Sequence, residues 1–360
     1  MPTILDVPAE ILSIIFRLAC DAEPPTEIST KHPLGFNLAG ICRSFRNVCQ
    51  ADGLDIQYAL VRGIKRMRIF LEILRMRSPY AKRIRSLLLA EDYLTLKDFV
   101  EATVTNLVME ILSTLNPSDL RILAIYDCQP FSDQSNQLIL VPTPFPALTD
   151  FFLSGAFIAE TPSDSTEAWA PNLERMQILR MMVPPAELPA TLCRLAPNLK
   201  RLKLEVQANP LTASLLARRV SDFWVVRLEG PITPGDEENV RLLHFPEHLR
   251  HLVLGFYPCY LPIGWEETDI KRLTDSMIQH MENGASVFDN LLPLPFEDDD
   301  EDGDDSDYDM DFQPLTCLPM QKHLSMDLFG AEEDQRFREF VKNWERCTAG
   351  REVAWTSKAL

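Results

Sequence analysis

The 360-residue chain is 46% hydrophobic and 9% aromatic, enough to bury a sizeable core over two or three domains. Its formal charge of −18 is concentrated in one stretch: residues 297–311, EDDDEDGDDSDYDMD, hold eleven carboxylates and no base, and without them −18 falls to −7. That balance is a poor match for nucleic acid, and nowhere does the chain approach the roughly 18 uninterrupted apolar residues of a membrane span. Eight dispersed cysteines without a C-x-x-C pair fit reduced thiols, and the first residues are acidic where a secretory leader would be basic. The expectation is a cytoplasmic or nuclear protein.

The first element is written in LDVPAEILSIIFRLAC, residues 5–20. Pro8 suits the first turn of a helix, Asp6 a cap, and Glu10 the positive end of the helix dipole. On a wheel of about 100° per residue, Ile11, Leu12, Ile14, Ile15, Phe16, Leu18, Ala19 and Cys20 fill roughly 240°. Facing a single core takes only about 100°. After a polar, proline-containing loop over residues 21–33, Leu38, Ile41, Cys42, Phe45, Val48 and Cys49 follow the spacing of one helix face, and a third helix is expected over residues 59–77. Two short helices and a loop cannot build a self-sufficient core. The surplus apolar arc of the first helix therefore calls for cover by another protein.

VPAEILSIIFRLA followed by LAGICRSFRNVC resembles the F-box, of the kind seen in fungal proteins, and SPYAKRIRSLLL after it also resembles theirs. Pro8, Glu10, Ile11, Leu12, Ile15 and Phe16 match the first part of that motif, and Leu38, Ile41, Cys42, Arg43, Phe45 and Arg46 the second. The resemblance implies that Leu5, Pro8, Ile11, Leu12, Ile15, Phe16, Leu38, Ile41, Cys42 and Phe45 dock a Skp-type linker protein and, through it, a cullin. The chain would then be a substrate-recognition adaptor of a ubiquitin ligase. The alternative is an interaction scaffold that uses the same box and repeats without serving a ligase.

Further along, the pattern L-x-x-L-x-L recurs with conservative replacements as IRSLLL, LRILAI, LTDFFL, LERMQI, LKRLKL, FWVVRL and LRHLVL. These start at Ile84, Leu120, Leu148, Leu173, Leu199, Phe223 and Leu249, spacings of 36, 28, 25, 26, 24 and 26 residues. Intervals near 26 lie in the leucine-rich-repeat range, and APNLERMQI and APNLKRLKL are near copies. Each unit reads as a short parallel strand and a return segment, partly helical over residues 186–197. The asparagine or cysteine that would form a ladder after each strand occurs once, as Cys128, so an irregular array is expected. The fold class is α/β: an F-box at residues 1–50, a helical linker at 51–83, an irregular leucine-rich-repeat-like solenoid at 84–290, an acidic disordered loop at 291–313, and a strand and helix capping the array at 314–360.

Strand parity points the fourth and sixth residues of each motif into the solenoid and the third, fifth and seventh to its concave side. This makes Tyr126, Phe152, Arg175, Arg201, Lys203 and Arg227 candidates for holding a protein target, and Ser306 a candidate for phosphorylation in the acidic run. His244, His248 and His251 do not form a metal motif, because Pro246 interrupts the helical spacing and Leu249 opens a strand. With no phosphate loop, H-E-x-x-H or G-x-S-x-G motif, neither a cofactor nor enzymatic chemistry is expected.

Overall fold

An eight-stranded sheet in which every neighbouring pair is parallel frames the molecule. The computed structural model describes residues 4–22, 28, 31–91, 102–126, 137–141, 144–160, 168–181, 188–207, 245–257, 315–317 and 329–351. Strands β1 (Tyr58–Arg62), β2 (Ser86–Ala90), β3 (Ile122–Tyr126), β5 (Asp150–Ser154), β7 (Arg175–Met181), β8 (Arg201–Gln207), β9 (His251–Tyr257) and β10 (Leu315–Cys317) lie side by side in chain order. A separate parallel pair joins β4 (Gln137–Val141) to β6 (Ala156–Glu160). Six of the seven motifs open two residues before a strand: those at Ile84, Leu120, Leu148, Leu173, Leu199 and Leu249. The motif at Phe223, with Arg227, lies outside the described residues. β8 pairs with β9 directly from Arg201↔His251 to Gln207↔Tyr257, so the sheet itself has no strand between them.

Parity sorts the side chains as the motif requires. Leu87, Leu123, Phe151, Met176, Leu202 and Leu252, with Leu89, Ile125, Leu153, Ile178 and Leu204 two residues on, form one core with helices α4 (Ile64–Met76), α5 (Ala102–Thr114) and α6 (Leu188–Leu195). α6 falls within residues 186–197, where the return segment reads as helical. The turns between strands repeat. Leu148, Leu173 and Leu199 each donate N–H to the carbonyl three residues back, at 3.1 Å. Asn172 and Asn198, in the near-identical APNL turns, donate side-chain N–H to the carbonyls of Pro146 and Pro171, 2.7 Å each. An asparagine ladder absent after the strands thus exists before them, where it ties each turn to its predecessor.

Two helix expectations are corrected. Residues 59–77 are not one helix: the Tyr-Ala-Leu-Val run is the edge strand β1, paired with β2, and Gly63 at φ 89° turns the chain into α4. Leu60 matches helical spacing to Ile64 by coincidence, and the aromatic and β-branched residues beside it favour the strand. The segment 51–83 is therefore not wholly helical and already contributes to the sheet. Likewise the run around residues 36–50 is two helices, α2 (Leu34–Ile41) and α3 (Arg43–Asp52), because Cys42 is extended at φ −155° and caps α3 by accepting the Phe45 N–H on Sγ at 3.5 Å.

At the other end of the chain, α7 (Phe329–Thr348) does not cap the last strand. Phe337, Phe340, Val341, Trp344 and Cys347 pack on Leu88, Ala90, Ile122, Ala124, Tyr126 and Phe152, the opposite face of the sheet from α4–α6. Strand and helix are both where residues 314–360 place them, but the helix covers a face. The sheet face expected to hold a target is covered there by a third layer.

Candidate functional site

Two apolar surfaces answer to the expectations of the sequence. The first belongs to α1 (Ala9–Ala22) and α2. Pro8 stands just before α1, where its carbonyl accepts the N–H groups of Ile11 and Leu12 at 3.1 and 3.0 Å. Upstream, Leu5 and Asp6 lie in a 3-10 turn, and the Leu5 side chain is outside the described residues. Leu12, Phe16 and Cys20 point inward and meet Phe45, Val48, Cys49 and Leu54, with the rings of Phe16 and Phe45 edge to face at 4.7 Å. Partly buried Leu38 and Cys42 pack against the same cluster. Leu12, Phe16 and Phe45, expected at a partner's surface, are therefore core residues, because three helices placed together do build a small core of their own.

The remainder of the arc is bare. Ile11, Ile14, Ile15 and Leu18 are 46–65% exposed, and Leu34, Phe36 and Ile41 add exposed apolar area from α2. Ile14 and Leu18, on the wheel but outside the motif, join Ile11, Ile15 and Ile41 in this band. Phe36 and Leu34 were missed because the second part of the resemblance begins at Leu38. The helices hold their geometry through Arg17–Asp52 at 3.7 Å, the Ser13 hydroxyl bonded to the same carboxylate, and Gly35, where a Cβ would lie 2.0 Å from the Leu54 carbonyl oxygen. Among the described contacts, Arg77–Asp55 at 2.5 Å, Arg85–Asp21 at 2.7 Å, and Gly53 against Ala81 fix the unit to the sheet.

The second surface is the sheet face opposite α4–α6. Its apolar half is occupied. Tyr126 and Phe152, expected to meet a target, are 3% and 2% exposed beneath α7. Tyr126 lies 5.2 Å from Phe337 and 5.0 Å from Phe340, centroid to centroid. Arg62 stacks over Phe337 at 4.4 Å while pairing with Asp334 at 3.0 Å. At the far end the Ser86 and Thr348 hydroxyls are 2.7 Å apart. α7 thus runs antiparallel to the strands.

In the other half, Arg175 is not free to receive a target carboxylate. It sits in register with Asp150 and pairs with it at 2.5 Å, Asp150 being buried. Burial and the neighbouring Asp150 carboxylate push the Cys347 thiol far above its ordinary range. Arg201 and Lys203 follow on β8, partly buried, with His251 in register beside Arg201. Burial first, and Arg201 second, lower the His251 pKa, which favours the neutral ring. At Arg180, φ is 60° where β7 and β8 slip register, and its guanidinium reaches the Tyr126 hydroxyl at 3.4 Å. Ser306 lies outside the described residues. Among the described residues no group of three His, Cys, Asp or Glu side chains is arranged to hold a metal, and no helix is long and apolar enough to cross a membrane.

No family model, curated protein or solved structure matches this chain.

Proposed function

We propose that the protein is the substrate-recognition adaptor of a cullin-based ubiquitin ligase, in which the helical unit of residues 1–50 is an F-box that docks a Skp-type linker protein and the leucine-rich-repeat-like sheet domain carries the target. The observation that carries this reading is the exposed band Ile11, Ile14, Ile15, Leu18, Leu34, Phe36 and Ile41 on a unit whose own core is already complete. A contiguous apolar surface of this kind marks an interaction site. The adaptor makes and breaks no bond. It needs no cofactor, and its contribution is to hold a target at a fixed place relative to the ligase. The ion pairs Arg77–Asp55 and Arg85–Asp21 serve that role by fixing the orientation of the box on the sheet. On this reading the protein would act in the cytoplasm or nucleus.

The test is copurification of the linker protein with the full chain and with the Ile15→Asp/Leu18→Asp variant. Both replaced side chains are exposed, so the variant keeps the wild-type melting profile and loses the linker, because a charge would be desolvated without a partner in the contact. A folded variant that retains the linker at unchanged affinity refutes the assignment. The scaffold reading is separated by a second assay: a linker complex that assembles with cullin but transfers ubiquitin to none of the proteins captured by the sheet domain serves no ligase.

A further inference from the structure

We propose that the sheet face beneath α7 is a groove for an amphipathic aromatic helix, filled in the isolated chain by residues 329–348 and yielded to a target helix of the same pattern. The inference deepens the reading that the sheet domain holds a target, and it does not depend on the box. The seat can take a helix. In register Ala124 lies between Leu88 and Phe152, and along β3 between Ile122 and Tyr126, so it makes a low centre, with Ala90 beside Tyr126 at the C-terminal edge of the strands; the aromatic residues of α7 pack on this face at the spacing Phe337, Phe340, Trp344. Recognition of a helix by such a trough runs through anchors at i, i+3 and i+7, which is this spacing.

The present occupant is also one that can leave. A helix satisfies its own backbone, and α7 closes on Gly350, whose N–H bonds the Cys347 carbonyl at 2.9 Å, so its departure orphans no ladder of sheet hydrogen bonds. Its polar ties include Asp334 to Arg62, where both side chains are partly solvated, and, in its last two turns, Cys347 to Asp150, Thr348 to Ser86 and the buried Glu345. Its fit is flawed in its C-terminal half. Trp344 is fully buried, yet among the described residues its indole N–H meets no acceptor, a standing cost that a target helix with Phe or Leu at that place would not carry. An apolar sheet face cannot stay bare in water, so exchange of one amphipathic helix for another, with little change in buried area, is the path that keeps the cost low.

Two measurements on the full-length chain decide the matter. In hydrogen exchange without any target, amides of residues 337–347 exchange at least tenfold faster than those of β2 and β3, because the helix opens while the sheet stays folded. Exchange of α7 at the same rate as β2 and β3 overturns the proposal by making α7 an integral layer. In the second, a labelled peptide with the sequence of residues 329–351 is titrated onto the wild-type chain and onto Phe340→Ala, which loosens the internal copy. The variant binds the peptide at least tenfold more tightly, and a peptide carrying Trp344→Asp binds neither chain. Peptide binding to neither chain, or binding indifferent to Trp344→Asp, overturns it too. If Phe340→Ala fails to fold, exchange in the wild-type chain still gives the answer. Because no linker or target is present, failure of the ligase reading leaves both results standing.

Discussion

Two glycines with almost the same backbone separate conformational strain from crowding. Gly53 has φ 70° and Gly350 φ 67°, both in the left-handed region that a side chain disfavours. A Cβ on Gly53 would lie 2.4 Å from the Ala81 carbonyl oxygen, whereas one on Gly350 would meet nothing within 4 Å. Gly350→Ala is therefore expected to cost about 1 kcal/mol, the conformational part alone. Gly53→Ala adds a clash with backbone that cannot rotate away, for a total of about 3 kcal/mol or more. Urea unfolding of the two variants reads the difference, and equal losses would mean that the junction at Ala81 is not tight. The buried thiols give a pH signature at the same scale. Burial pushes Cys20 up to about 11 and Cys49 up to about 12, while in the unfolded chain they ionise near their ordinary value of about 8.5. The folded state thus holds these protons more tightly. The stability tied to them is complete below about pH 8.5 and is lost as pH rises through about 11 to 12. The urea midpoint should fall between pH 8 and pH 10.5, and Cys49→Ala should make that fall shallower.

At the scale of elements, the ion pair between β5 and β7 can be weighed. Asp150 is buried and Arg175 partly exposed, and they face each other in register at 2.5 Å. Removing the arginine alone leaves a carboxylate with little solvent, which costs about 2–3 kcal/mol, toward the low end for a buried pair because Arg175 still reaches water. Asp150→Asn/Arg175→Gln should recover part of that loss, and a double-mutant cycle by thermal or urea unfolding measures the coupling. Six strands of the large sheet were legible from Ile84 onward, because a parallel sheet covered on both faces writes an apolar residue at nearly every inward position; β4 and β6, which pair with each other outside that sheet, carry no L-x-x-L-x-L motif and were not. β1 was not, because Leu60, Ile64, Met67, Leu71 and Leu74 keep helical spacing across a strand, a glycine turn and a helix. The aromatic stripe Phe337, Phe340, Val341 and Trp344 was legible as a buried face, but nothing in a local pattern says which surface it covers. Only the rows of side chains assembled by the sheet reveal an apolar seat of matching width. For the same reason Leu12 and Phe16 could not be told from Ile11 and Ile15: all four are apolar, and the division between own core and outer band is made by where α3 lies.

The described residues form three apolar cores, one within α1–α3, one between the sheet and α4–α6, and one between the sheet and α7, and ion pairs tie the first to the sheet domain. Among these, Arg77–Asp55 is the strongest candidate for mechanical coupling. Arg77 Nη1 and Nη2 lie 2.7 and 2.5 Å from the two Asp55 oxygens, and both side chains are only 10% exposed. By contrast, Arg75–Glu72, Arg75–Glu110 and Lys200–Glu174 are solvated and worth little. A bidentate, poorly solvated pair fixes an angle as well as a distance, which a flexible or screened pair cannot. Arg77→Ala removes that constraint and strands Asp55, at a cost of about 3 kcal/mol. The cost should not be shared equally. Asp55 belongs to the turn that closes the helical unit beside Leu54, so the small core around Val48 and Cys49 should loosen first, while the sheet core around Leu87 and Leu123 keeps its own contacts. Hydrogen exchange on Arg77→Ala should accordingly show faster exchange at Val48 and Cys49 with Leu87 and Leu123 unchanged. Asp55→Asn/Arg77→Gln, which leaves no stranded charge, should restore most of the protection without restoring the fixed angle. An equal increase at all four amides would mean that the helical unit and the sheet core unfold as one and that the pair is not a separate constraint between them.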